Sequence, residues 1–324
     1  MQTGSRVGSR RDRYSRHVKV VRAAVAAGAG LVLALALGGC QAVAPIVTPT
    51  VVATAPAIDL TAPGAAASMI DRLVKTAGSP DVIMVVVSAT QASVTVLNGQ
   101  TPATWAYRNG QIGLVATDIT YVDQSTFDPD DFNIRDVGAL FRAAAAVSGS
   151  TRGQTLQIVD YSDGRVMMSV STDPESRTVF FNADGSLLED LDFDTLGGIQ
   201  RGLADVVGTV PLAYTVSVQS DQGAWMDYPG SDDGTTTRRQ RTPRVPVTTS
   251  TRAQRTTLPV FSPALVNADA IWAVVEANAG VTVSATTAWS VTIDQRAGDG
   301  LPRMYFSFGL TSVVTDLSGH AVTG

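Results

Sequence analysis

The sequence predicts an α+β fold of two tandem, duplicated modules, each made of helices packed on antiparallel β-meanders. Three observations predict it. Segments with apolar residues at helical spacing are followed by β-branched runs that Asn-Gly and Asp-Gly pairs punctuate. This helix-then-strands order recurs across residues 65–324. Landmarks also repeat at one offset: Phe127-Asp128-Pro129 against Phe261-Ser262-Pro263, and the turn Asp184-Gly185 against Ser318-Gly319, both 134 residues apart.

The chain begins differently. Residues 1–39 carry seven basic residues and one acid, Asp12, while residues 40–324 hold 17 basic and 28 acidic residues, a net charge of -11. Behind the basic head, Ala23 to Leu37 is a run of fifteen uncharged residues. As a helix it would rise about 22 Å, short of the ~30 Å hydrocarbon layer, so a permanent span is disfavoured. A basic head, an apolar stretch and small residues make a signal peptide. Leu37-Gly38-Gly39-Cys40 follows, and Cys40 is the only cysteine of the chain. This tetrapeptide resembles the lipobox of bacterial lipoprotein signal peptides. The resemblance implies cleavage before Cys40, lipidation of its thiol by acyl groups such as palmitate, and a body outside the cell membrane. Ser9-Arg10-Arg11-Asp12 also resembles a twin-arginine export signal, with Arg13 standing where that pattern has an apolar residue.

Residues 40–64 are rich in Pro, Ala and Thr, with Pro45, Pro49, Pro56 and Pro63 in the run. Proline at this density favours an extended tether. The first module is expected over 65–194. Met69, Ile70, Leu73, Val74 and Ala77 share a helical face, stopped by Gly78-Ser79-Pro80. Strands follow at Val82–Val87, Ser93–Leu97, Thr104–Tyr107 and Gln111–Val115, with Asn98-Gly99 and Asn109-Gly110 as turns. Ile134, Val137, Leu140, Phe141 and Ala144 mark a second helix, and strands are expected near 154–160, 165–171, 176–181 and 186–190.

The second module is expected over 195–324, with a helix at 196–207 capped by Thr195. A further helix is expected at about 265–278, then strands near 281–285, 288–294, 302–308 and 311–315. Trp105-Ala106-Tyr107 is matched to Trp225-Met226-Asp227-Tyr228 at offsets of 120 and 121, which implies an insertion of 14 residues before Phe261. The stretch at about 230–259 holds Arg238, Arg239, Arg241, Arg244, Arg252 and Arg255 with little that is large and apolar, and reads as a mobile loop flanking one strand near 245–249. Two readings of it are open: a contact for an anionic envelope polymer, lipid or acidic protein, or a solvated loop. Trp105 and Trp225 likewise line a cleft or anchor a core.

Little catalytic chemistry is signalled. One cysteine forbids an internal disulfide or a multi-thiolate metal site, and His320 is the only histidine beyond residue 39. No nucleophile elbow, phosphate-binding loop or dinucleotide fingerprint is present, so no catalytic residue, metal or cofactor is expected. Carboxylates cluster at Asp123, Asp128, Asp130, Asp131 and Asp136, and at Asp184, Glu189, Asp190, Asp192 and Asp194. They serve as caps and turn residues or as the pair of a carboxylate-dependent hydrolase. Export and the lack of aromatic residues among the arginines exclude nucleic acid as partner. Across 65–324, each helix followed by a meander resembles PepSY-type and β-lactamase-inhibitor-like modules, which implies a non-enzymatic exported binding protein. A lipid or glycolipid carrier with an apolar cavity is the alternative.

Overall fold

The computed structural model describes residues 58–116, 124–173, 177–254, 256–282 and 288–322. Leu37, Gly38, Gly39 and Cys40, most of the tether, Asp123 and Arg255 lie outside these residues. Helix α1 (Ala65–Ala77) buries Ala66, Met69, Ile70 and Leu73, a spacing that turns one stripe inward. It ends at Gly78, whose left-handed backbone (φ 71°) lets its N–H reach the Val74 carbonyl. Strands β1 (Val82–Val87), β2 (Ala92–Asn98), β3 (Thr101–Arg108) and β4 (Gln111–Val115) follow as an antiparallel meander.

A 3-10 turn at Pro129–Asp131 leads into α2 (Val137–Ser148), whose first turn is capped by the Asp136 carboxylate accepting from the Ala139 N–H at 2.7 Å. The chain then crosses to the other side of β1, where β5 (Thr155–Ser162) pairs with it, followed by β6 (Arg165–Ser171) and β7 (Val179–Phe181). The sheet order is β4-β3-β2-β1-β5-β6-β7.

The second half repeats this. Helix α3 (Leu196–Val207) is capped by Thr195, whose hydroxyl accepts from the Gly198 N–H at 3.1 Å. Then come β8 (Thr215–Gln219), β9 (Gly223–Pro229), β10 (Thr236–Thr242), β11 (Val245–Arg252), a 3-10 turn at Pro263–Leu265, and α4 (Ala268–Thr282). Strands β12 (Trp289–Asp294), β13 (Arg303–Phe308) and β14 (Thr311–Thr315) complete a sheet ordered β11-β10-β9-β8-β12-β13-β14. Among the described residues, two antiparallel seven-stranded sheets and four helices therefore make an α+β fold with halves of the same strand order. The landmarks at offset 134 occupy matching places. Phe127 bridges to Val82 as Phe261 bridges to Ala213, and Phe181–Leu187 matches Thr315–Ala321.

Four expectations are corrected. The stretch at about 230–259 is no mobile loop: it carries the β10–β11 hairpin, in the sheet position that β3–β4 holds in the first half. Its threonines and valines are β-branched and suit a pleated surface. Helix four starts at Ala268, because Pro263–Leu265 form the 3-10 turn, and it continues to Thr282 where a strand near 281–285 was expected. The strand near 186–190 is a single bridge at Leu187. Trp105 and Trp225 are not counterparts, since Trp105 is on β3 and Trp225 on β9, the strand that answers to β2.

Each half has its own buried cluster. One joins Ile70 and Leu73 of α1 and Leu140 and Phe141 of α2 to Val85, Val94, Ile158 and Met168 of the strands. The other joins Ile199 and Leu203 of α3 and Ile271 and Val274 of α4 to Val216, Met226, Val291 and Phe306. Each such side chain contributes about 1.5–3 kcal/mol by leaving water. Close approach in the second half depends on two helical glycines. A Cβ at Gly198 would lie 1.8 Å from the Asp192 carbonyl oxygen, and one at Gly202 would lie 2.3 Å from the Phe193 ring. Among the described residues no helix is long and apolar enough to cross a membrane.

Candidate functional site

Side chains alternate across a strand, so the residues of the second sheet that do not join the second cluster point to its opposite face. There the register lines up Tyr305, Thr292, Ser217, Trp225 and Gln240, one from each of five adjacent strands. The next row brings Arg303, Asp294, Asp227 and Arg238 into line on four of these strands. On the first sheet the corresponding row is Met167, Val159, Met84, Thr95 and Thr104. One fold thus carries an uncharged row in one half and rows with arginine, aspartate and aromatic side chains in the other.

The best-built part of this face is Asp227. Its carboxylate is 10% exposed and accepts a two-pronged bond from Arg238, Nε to Oδ1 at 2.7 Å and Nη2 to Oδ2 at 2.8 Å. Arg252 Nη2 adds a third bond to Oδ2 at 3.0 Å. Burial pushes the Asp227 carboxyl up, but the hydrogen bonds and charges of Arg238 and Arg252 outweigh it and hold the group below its ordinary value. The Arg238 guanidinium carbon stands 5.7 Å from the centre of the Trp225 ring. Across the face, Asp294 is held by Arg296 at 2.6 Å, and Arg296 lies 4.2 Å from the centre of the Tyr305 ring.

Arg239 and Arg241 turn instead toward α3. Arg239 Nη2 donates to the Asp205 carbonyl near the end of α3 at 3.0 Å. Arg241, 1% exposed, donates to the Asp205 carboxylate at 3.1 Å, to the Val245 and Glu189 carbonyls at 2.7 Å each, and to the Thr242 carbonyl. Burial lowers its pKa against the opposing pull of Asp205. Arg244 pairs with Asp190 at 2.6 Å in the open. The structure therefore brings Arg238, Arg252 and Trp225 together and directs Arg239 and Arg241 to structural work. Trp105 packs against the first core cluster, in a different sheet from Trp225.

The carboxylate clusters resolve into local roles. Asp128 accepts from the Asp130 N–H, Asp136 caps α2, Asp184 accepts from the Ser186 N–H and hydroxyl, and Asp194 accepts from the Trp289 indole at 2.8 Å. Among the described residues no group of three or more His, Cys, Asp and Glu is placed to hold a metal ion. Two open hollows, of about 520 Å³ beside Asp160 and Asp163 and about 330 Å³ beside Phe141 and Arg142, include polar side chains in their walls. Neither is an apolar chamber between sheet and helices. Sequence reasoning missed Asp227, Asp294, Arg296 and Tyr305. The polar phase of alternation in Trp225-Met226-Asp227 and Ser290–Asp294 was the signal that marks them.

No family model matches the chain, and no curated protein sequence does. Solved structures with some likeness include the beta subunit of DNA polymerase from Streptococcus pyogenes, at 8% identity and a TM-score of 0.15, covering 77% of this chain and 62% of that one. Another is a Helicobacter pylori beta clamp bound to a DNA ligase peptide, at 8% identity and a TM-score of 0.15, covering 79% of this chain and 65% of that one. The chain spans about three fifths of the length of these proteins. At such TM-scores the likeness bears on neither fold nor function.

Proposed function

We propose that the protein is a non-enzymatic binding module, held by acyl chains on Cys40 to the cell membrane with its body on the extracytoplasmic side. In this reading residues 1–39 are a removed signal, residues 40–64 a tether, and residues 65–194 and 195–324 two duplicated modules, each with its helices on one face of its sheet. The observation that carries the binding role is the asymmetry of the two helix-free faces. Both halves have the same strand order, so the fold does not require Trp225, Asp227 and Arg238 where the first half has small or apolar residues. A basic, aromatic surface on a body of net charge -11 is a contact for an anionic envelope partner. The anchor rests on the lone Cys40 at the end of the lipobox-like tetrapeptide. Two signals, or two or more chains, hold a protein firmly where a single acyl chain binds only marginally.

Growth with a clickable palmitate analogue tests the reading. The wild-type chain takes up label and fractionates with membranes, and Cys40→Ser takes up none. Label persisting in Cys40→Ser contradicts it.

A further inference from the structure

The helix-free face of the second sheet has relief as well as charge. Along β8 and β12 its half-buried side chains are Thr215, Gln219, Ser290 and Thr292, and Ser217, buried among them, donates to Thr292 at 3.3 Å. On the flanking strands stand Trp225 with Arg238, and Tyr305 with Arg296. Strands β9 and β13 are three places apart in the sheet, about 14 Å. Small hydroxyl and amide side chains thus floor a shallow trough that two ring-and-guanidinium walls border.

We propose that this trough binds an acidic polysaccharide, its sugar hydroxyls on Thr215, Gln219, Ser290 and Thr292 and its carboxylates on Arg238 and Arg252. The proposal rests on the binding role above and names its partner. Three features choose this occupant. Neutral hydroxyls and amides between aromatic walls suit a ligand that is itself hydroxyl-rich. Four guanidiniums (Arg238, Arg252, Arg296, Arg303) meet three carboxylates (Asp227, Asp294, Asp299), so the face is positive on an acidic body. Arg252 commits only Nη2 to Asp227, and its other donors have no acceptor among the described residues. A membrane surface fits less well, because the floor offers no large apolar side chain to enter it.

The full chain carrying Cys40→Ser, which removes the acyl group from the measurement, is titrated with polygalacturonate at low and high salt. Binding is expected at low salt and weakens as salt rises. Gln219→Glu and Arg252→Gln change charge with little change in volume, and each is expected to weaken binding at least about fivefold. Gln157→Glu makes the same change on the helix-free face of the first sheet and leaves affinity unchanged. Circular dichroism confirms that each variant is folded, and Arg238 remains on Asp227 in all of them. The proposal is overturned by no binding, by equal binding of neutral dextran, or by affinity indifferent to Gln219→Glu and Arg252→Gln. Polyglutamate or phosphatidylglycerol vesicles binding as tightly, with the same sensitivity to these variants, also overturn it and assign the face to an acidic protein or a membrane. A chain that is acylated at Cys40 but fails here loses this site and keeps its anchor; the converse result separates the two in the same way.

Discussion

Arg241 occupies the position in the second sheet that Tyr107 holds in the first. Tyr107 pairs across β2 with Ala92 and Arg241 across β9 with Ala224, while Ala92 and Ala224 sit opposite Val87 and Val218, each five residues beyond the bridged Val82 and Ala213. A buried tyrosine ring in one half is thus a buried cation in the other, bound to Asp205 and to the Glu189 carbonyl in the segment that enters α3.

Replacing that cation exposes the cost of its partners. Arg241→Met leaves the Asp205 carboxylate and the Val245 and Glu189 carbonyls without their donor, and we expect a loss of about 3–5 kcal/mol in urea unfolding. Arg241→Lys is expected to recover less than half of it, since one ammonium nitrogen cannot span the acceptors that Nε, Nη1 and Nη2 reach separately. A loss under ~1 kcal/mol for Arg241→Met would show that the bonds are not formed in solution.

Gly198→Ala sets two effects against each other. Helix propensity favours alanine by about 1 kcal/mol, whereas overpacking costs about 1–3 kcal/mol. The new Cβ would meet the Asp192 backbone oxygen, which has no flexible side chain to yield, so overpacking wins. Thermal unfolding is expected to show a lowered Tm for Gly198→Ala. At Gly197, where nothing lies within 4 Å, alanine is expected to raise it.

Asp227 gives the fold an acid limit. Its folded pKa lies below the unfolded value, so its contribution is complete above the ordinary carboxylate range near pH ~3.9 and is lost as pH falls through the folded value. Asp227→Asn is expected to be less stable at pH 7 by about 1–3 kcal/mol and to lose less stability on acidification. Parallel acid-unfolding curves for the two proteins would refute the role given to Arg238 and Arg252.

Much of the fold is legible in the sequence where local signals and tertiary demands agree. Thr195 caps α3 as expected, the Asn-Gly turns fall between paired strands, and Phe127 and Phe261 hold equivalent bridges. Legibility fails where partners are distant. The charge of β10 reads as a loop because arginine is seldom buried without a partner. For Arg241 the carboxylate lies 36 residues away and the Glu189 carbonyl 52. The match of Trp105 to Trp225 followed a short likeness of sequence, but strand register places them on β3 and β9. Of the candidate site, Arg238, Arg252 and Trp225 were legible as residues. Their meeting on Asp227 was not, because it requires knowing that β9 and β10 are neighbours.

The intact mass of the chain extracted from membranes tests the central claim most directly. The account predicts a polypeptide that begins at Cys40 and carries a diacylglyceryl group, with or without a further acyl chain on its amino terminus. A mass matching a chain that retains residues 1–39 with an unmodified Cys40 would contradict it.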